Sequence, residues 1–206
     1  MSDYLENLNS ELTHPIIEKL LAQAEMLHTP IVQKDAIRLI IQMIKASDAK
    51  HVLEIGSAIG YSAIMMAMFT DAHVTTIERD HDSYERAKKN ISDASLDSRI
   101  TLIESDALLY NMAEDYRCDL LFIDAAKGSY EKFFSKYTPF LKSKGIVICD
   151  NLLFHGLVEN EDLIQTKNQA KLVDKIRRFN QFLVNQDGFD THVYDIGDGL
   201  SISIKK

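Results

Sequence analysis

The feature that most constrains this chain is an alternation. Short runs rich in apolar and β-branched residues, at 51–55, 74–77, 100–103, 120–123 and 145–149, are separated by stretches with helical character. Runs of four or five apolar residues bounded by turn residues read as strands buried on both faces of a parallel sheet. The intervening stretches at 59–69, 81–94, 129–141 and about 166–185 read as helices. Repeated βα units of this length call for a doubly wound α/β fold. Residues 191–196 and 200–204 flank Gly197–Asp198–Gly199 and read as a closing hairpin that adds one antiparallel strand. Two amphipathic helices come first. One lies in 11–28, through Ile16, Ile17, Leu20, Leu21, Ala24 and Leu27, and ends at His28–Thr29–Pro30. The other spans 34–46, through Ile37, Ile40, Ile41 and Ile44. The expectation is one domain over 1–206, with a helical cover (1–47) on an α/β core (48–206). Such a cover closes over a substrate or packs against a second subunit.

Ligands of open α/β sheets bind outside the carboxyl ends of the strands, so the residues ending each run are the first candidates. The run 120–123 ends in Asp124, with Lys127 three residues on and Gly128 to let the chain turn. The run 145–149 ends in Asp150 and Asn151. Three oxygen donors from two strand ends suit a hard cation such as Mg²⁺. A helix cap accounts for a single strand-end Asp, but it does not ask for a neighbouring Asn and a nearby Lys.

Residues 52–62, VLEIGSAIGYS, run from a strand through a glycine turn into a helix. Gly56 lets a ligand approach the backbone, and Gly60 opens the helix with its amide donors. The dinucleotide fingerprint places a third glycine where Ala58 stands, so close pyrophosphate contact is disfavoured. Glu78 ends the next strand about 20 residues on, where a carboxylate accepts from ribose hydroxyls. Glu54, inside the first strand, asks for a cation or donor to meet it. A ligand with a ribose, a sulfonium and an α-ammonium, but no pyrophosphate, fits S-adenosylmethionine better than NAD. Asp106 and Ala107 follow the third strand and border the adenine, with a helix cap the alternative for Asp106.

Composition removes other classes. Of 206 residues, 46% are hydrophobic and 26% charged, ordinary for a globule, and no apolar run has membrane-spanning length. The polar, acidic start MSDYLENLNSEL is not expected to be a signal peptide. Cys118 and Cys149 lie in or beside apolar runs and read as buried thiols of a cytoplasmic protein. A net charge of −8 disfavours nonspecific nucleic-acid binding unless a local basic patch overrides it.

As a set, VLEIGSAIGYSA, TTIERD, LLFIDAAKGSY, IVICDN and the ending GDGLSIS resemble the cation-dependent class I O-methyltransferases, the family of catechol and caffeoyl-CoA O-methyltransferases. The resemblance implies a Rossmann-like, seven-stranded, mostly parallel sheet with the last strand antiparallel and helices on both faces. It also implies S-adenosylmethionine, a divalent cation and a homodimer. By position, Asp124, Asp150 and Asn151 match the metal ligands, and Lys127 matches the catalytic lysine. Glu78 matches the ribose ligand, and Glu54, Gly56 and Ser62 match the motif holding the methionine end. Val32 matches a further cofactor contact. Within the family the chain is most similar to bacterial tRNA 5-hydroxyuridine methyltransferases, through TPIVQKD, FIDAAKGSYEKFF and DNLLFHGLV. His155 stands where a lysine is expected, and the basic run of the next helix is thinned to Lys167, Lys171, Lys175, Arg177 and Arg178.

The chemistry expected is in-line methyl transfer to an ionised oxygen, with the cation orienting two vicinal acceptor oxygens and Lys127 taking the proton or steadying the anion. A catechol and a 5-hydroxyuridine present nearly the same bidentate face. For an anticodon loop, Lys34, Arg38, His155, Lys167 and Lys171 are candidate phosphate contacts, and solvated helix faces are the alternative. Tyr130 and Phe154 are candidates to stack on the acceptor ring, or else core residues. The rival classes are a nicotinamide-dependent oxidoreductase and a non-catalytic binding module on the same fold.

Overall fold

The computed structural model describes residues 8–9 and 12–206; of the expected N-terminal cover, residues 1–7, 10 and 11 lie outside the described residues. The cover consists of α1 (Pro15–Leu27) and α2 (Lys34–Ala46). Proline at the first position and the His14 side chain, which accepts from the Ile16 amide, start α1. His28 ends it in the left-handed region at φ 50°. The core then alternates through β1 (His51–Ile55), α3 (Tyr61–Phe69), β2 (His73–Glu78), α4 (His81–Asp93), β3 (Ile100–Glu104) and β4 (Cys118–Ile123). It continues with α5 (Tyr130–Tyr137), β5 (Leu141–Cys149), α6 (Lys167–Val184), β6 (Phe189–Tyr194) and β7 (Leu200–Lys205).

The seven strands form one sheet in the order β3-β2-β1-β4-β5-β7-β6. β7 pairs antiparallel with both β5 and β6, and the other pairings are parallel. The hairpin expected at the C-terminus is therefore present. Its second strand slots between β5 and β6, so the reversed strand lies one place in from the sheet edge.

Alternate residues of the central strands feed two cores. Val52, Leu120, Phe122, Ile146 and Ile148 meet the cover and α3, with Leu20, Ile37, Ile40, Ile41 and Ile64. Leu53, Ile55, Leu121, Ile123, Val147 and Cys149 meet α5 and α6, with Phe133, Phe134, Tyr137, Phe179 and Leu183. Strands sandwiched this way need apolar residues on both faces, which is why β1, β4 and β5 read as continuous runs. Both cysteines are free and fully buried, and burial pushes each thiol up to about 12.

Two boundaries differ from expectation. The helix expected over 129–141 is shorter: 3₁₀ turns at Lys127–Ser129 and Thr138–Phe140 flank α5, the second beginning where Pro139 removes an amide. β5 starts at Leu141, four residues early, because the exposed Lys142–Lys144 stretch continues the strand.

Register brings the strand ends level. Ile55 pairs with Ile77 and Ile123, and Ile123 pairs with Cys149. Each following amide reaches back to its neighbour: Gly56 N to Ile77 O (3.0 Å), Asp124 N to Ile55 O (3.1 Å), Asp150 N to Ile123 O (3.2 Å) and Ser105 N to Glu78 O (2.8 Å). Gly56, Ser105, Asp124 and Asp150 therefore stand along one rim. The strand order reverses between β1 and β4, where doubly wound sheets open a crevice.

Candidate active site

A cleft of about 260 Å³ opens at that switch point. Its walls include Gly56, Ser57, Ala58, Tyr61 and Ser62 after β1, Glu78 and Arg79 at the end of β2, and Ser105–Leu108 after β3. Asp124–Lys127 after β4 and Asn151 after β5 complete the rim, and Pro30–Val32 close it from the cover. Of the expected cofactor contacts, Val32, Gly56, Ser62, Glu78, Asp106, Ala107 and Asp124 line it; Glu54 lies below its surface.

Gly56 is required twice over. Its φ is +96°, and a Cβ there would lie 2.3 Å from the Asp124 carbonyl oxygen. Only a glycine lets the β1 and β4 loops approach this closely. Ala58 also sits at positive φ (46°), and its amide donates to Glu78 Oε2 (2.9 Å). Glu78 Oε1 accepts from the amides of Arg79 and Asp80, both at 2.8 Å. Three backbone donors thus fix this carboxylate, leaving acceptor capacity on Oε2 for a ligand hydroxyl. Asp106 caps no helix, because only a turn follows β3; its Oδ1 accepts from the Leu108 amide (2.8 Å) within that turn, and the residue lines the cleft. The Tyr137 hydroxyl donates to Ala107 O (2.6 Å) and pins this loop from below.

Glu54 is fully buried, with neither carboxylate oxygen hydrogen-bonded. Burial pushes its carboxyl up to about 7; the nearby Ser62 and Thr76 hydroxyls pull it part of the way back, and Asp124 and Glu78 raise it further.

Asp124 and Asp150 leave paired residues of adjacent strands, which in sheets run roughly 4.8 Å apart. Both carboxyls lie above the ordinary range. Burial is the main cause for each; Lys127 offsets part of it at Asp124, and Asp124 adds to it at Asp150. Asp150 Oδ1 accepts from the Asn151 amide (2.7 Å), whereas Oδ2 is buried without a hydrogen bond. Asn151 Oδ1 accepts from Lys127 Nζ (3.0 Å), and Asn151 is held at φ 61°. Among the described residues no three His, Cys, Asp or Glu side chains form a metal cluster. The set here is two carboxylates completed by an amide oxygen. Two crowded carboxylates, one with an unpartnered buried oxygen, fit a hard divalent cation.

The expected acceptor contacts divide. Phe154 stands against the site, with Lys127 Nζ 5.5 Å from its ring centroid, and His155 follows it, exposed. Tyr130 is a correction. It begins α5 pointing inward, is 1% exposed, donates to Asp150 O (3.0 Å) and meets Phe179 edge-on at 5.2 Å. It buttresses the end of β5 and does not face the cleft. Lys34 and Arg38 do not line the cleft itself but a neighbouring cavity of about 560 Å³ between α1 and α2, which meets the cleft at Ile31, Val32 and Tyr61. Lys167 and Lys171 are exposed on the first turns of α6 and do not line the cleft.

Sequence reasoning passed over Tyr61, Arg79 and Phe133 as cleft residues. Tyr61 carried a signal, since it is the first residue of the helix opened by Gly60. Phe133 carried none beyond its apolar position on α5.

Comparison with known proteins bears on the same cleft. A family model described as O-methyltransferase matches residues 3–206. A caffeoyl-CoA O-methyltransferase of Populus kitakamiensis is 30% identical over 173 residues, covering 80% of this chain and 74% of its own. A crystal structure from Staphylococcus aureus, provisionally assigned there as a caffeoyl-CoA O-methyltransferase, superposes with a TM-score of 0.90 at 40% identity, covering 99% of this chain and 96% of that one. An O-methyltransferase from Bacillus cereus in complex with SAH shares the fold at a TM-score of 0.83 and 22% identity, covering 98% and 96%.

Proposed function

The chain belongs to the O-methyltransferase family, and from that premise we propose that it moves the methyl group of S-adenosylmethionine to a hydroxyl flanked by a second oxygen, with a divalent cation at Asp124, Asp150 and Asn151. The observation that carries this is the pair of strand-end carboxylates in register, one oxygen buried and unpartnered, beside the Lys127 ammonium. Relatives named for caffeoyl-CoA and for the flavonoid 3',5' positions support a phenolic acceptor. Membership also speaks against the nicotinamide and binding-module readings.

In this assignment Glu78 accepts from the ribose, Asp106 and Ala107 flank the adenine, and Ser62 with Glu54 supplies the anionic side of the methionine end. Gly56 brings the β1 loop up to the donor, and Ile31 and Val32 exclude water from above. The cation, when bound, supplies Lewis-acid stabilisation of the ionised acceptor oxygen. The Lys127 ammonium is placed to steady the ionised acceptor oxygen, and Phe154 confines the acceptor ring over it. Orientation by these groups is the main requirement of an in-line displacement.

A second acceptor, 5-hydroxyuridine at the tRNA wobble position giving 5-methoxyuridine, draws on one observation. Lys175, exposed on α6, has its ammonium beside Gly128, 3.5 Å from where a Cβ would stand, next to Lys127. A cation there suits an acceptor that carries phosphate. Methyl transfer is therefore to be assayed on caffeoyl-CoA, on catechol and on tRNA bearing 5-hydroxyuridine, with and without EDTA. Loss of transfer in EDTA is the expected result, and undiminished transfer rules out the cation. Persistence of 5-methoxyuridine in tRNA from a deletion strain rejects the RNA acceptor.

A further inference from the structure

Asp198 sits in the turn before β7, far in sequence from the strand-end donors, yet it is built into their support. It is 6% exposed. Its Oδ1 accepts from the His155 amide, and its backbone oxygen accepts from the Leu153 amide (2.9 Å). The next residue, Gly199, takes the Leu152 amide (2.9 Å), and a Cβ there would lie 2.4 Å from the Leu153 side chain. The segment so gripped is strained at its non-glycine residues Asn151, Phe154 and His155, whose φ values are positive at 61°, 48° and 57°; Gly156 follows at 78°, a region glycine adopts freely. Left-handed residues in such density persist only where surrounding groups over-determine them. The segment carries Asn151, which bonds Lys127, and Phe154, which lies against it.

We infer that Asp198 is a positioning residue, whose carboxylate fixes the 151–156 turn and thereby aims Asn151 and Phe154 at the cation and acceptor site. It acts through the hydrogen bond it accepts, not through its charge. The groups facing it are Asp150, which its charge affects, the buried Tyr130, and the His155 ring, whose Nδ1 is 3.7 Å from Oδ2. The inference rests on the cation site proposed above. Groups that orient metal ligands in this way typically change metal affinity about 10- to 100-fold when removed.

The test compares Asp198→Asn, which keeps an acceptor oxygen, with Asp198→Ala. Mn²⁺ affinity is read by electron paramagnetic resonance on the methyl-donor-free protein, and amide hydrogen exchange of residues 152–157 is read without metal. The expected result is Mn²⁺ affinity within about threefold of wild type for Asp198→Asn and a loss of tenfold or more for Asp198→Ala. S-Adenosylhomocysteine affinity should stay unchanged in both, and exchange should be faster only in the alanine variant. Wild-type Mn²⁺ affinity in Asp198→Ala overturns the inference, as does an asparagine variant as weak as alanine, which assigns the effect to charge. If Asp198→Ala does not fold, Gly156→Ala strains the same turn with every carboxylate intact. It should weaken Mn²⁺ in the same sense, and wild-type affinity there refutes control by the turn. If the wild-type protein binds no Mn²⁺, the cation site fails, and the metal-free exchange comparison still decides whether Asp198 holds the turn.

Discussion

Glu54 offers the sharpest test of the donor site, because its titration links the buried strand to the ligand. Its carboxyl is pushed from 4.5 to about 7, mainly by burial. Between those values the folded chain holds a proton that the unfolded chain has lost. Stability from this group is therefore full below about 4.5 and is lost as pH rises through about 7. At about 1.36 kcal/mol per pH unit, the gap corresponds to ~3 kcal/mol for this fully buried group. A ligand that brings an α-ammonium to the Ser62–Glu54 end favours the ionised form and must release that proton. At pH 7 roughly half the molecules carry it, so S-adenosylhomocysteine should release roughly 0.5 proton on binding. Affinity should rise up to about tenfold per unit of pH below 7 and level off above. Calorimetry at pH 6 to 8, in two buffers of different ionisation enthalpy, measures the release directly. Asp124 and Asp150 titrate in the same sense, so the control is Glu54→Gln, in which the release should shrink and the urea midpoint at pH 8 should rise. Undiminished proton release in Glu54→Gln would falsify the assignment of Glu54 to the donor's charged end.

Asp150→Ala should abolish turnover in saturating Mg²⁺, and residual activity near wild type in an isotope-transfer assay removes Asp150 from the cation site. Lys127→Ala should lower kcat about 10²- to 10⁴-fold while leaving S-adenosylhomocysteine affinity unchanged, read by single-turnover kinetics and calorimetry. Gly56→Ala places a methyl 2.3 Å from the Asp124 carbonyl at φ +96°, so the β1 and β4 loops must separate; donor affinity should fall at least about tenfold, with a lowered melting temperature. Phe122→Ala, in the middle of the sheet at 0% exposure, should destabilise by about 3–5 kcal/mol in urea titrations with little change in donor affinity per folded molecule.

What the chain discloses in one dimension follows from where its chemistry sits. Asp124, Asp150 and Glu78 were legible because each ends or follows an apolar run, and in a parallel sheet all such ends open on one side. Gly56 was legible because a strand-to-helix turn demands a backbone that only glycine tolerates. Tyr130 misled because an aromatic one turn beyond Lys127 looks as near the mouth as Phe154 does. Only the inward start of α5 against Phe179 separates the two. Lys34 and Arg38 share a helix face near the mouth, but α1 packs beside them, so that they line the adjoining cavity and not the cleft, which local period does not show. Asp198 was read as a turn residue, since nothing in GDG says that β7 inserts beside β5 and carries that turn against residues 152–155. Local period reports which residues end strands, whereas which loops touch depends on strand order, and strand order is settled by pairings between residues some fifty apart. Ile148 with Ile202 is the case in point. That pairing brings the turn before β7 against residues 152–155, where Asp198 accepts from the Leu153 and His155 amides, and the Mn²⁺ and exchange measurements on Asp198→Ala decide whether that contact reaches the proposed cation site.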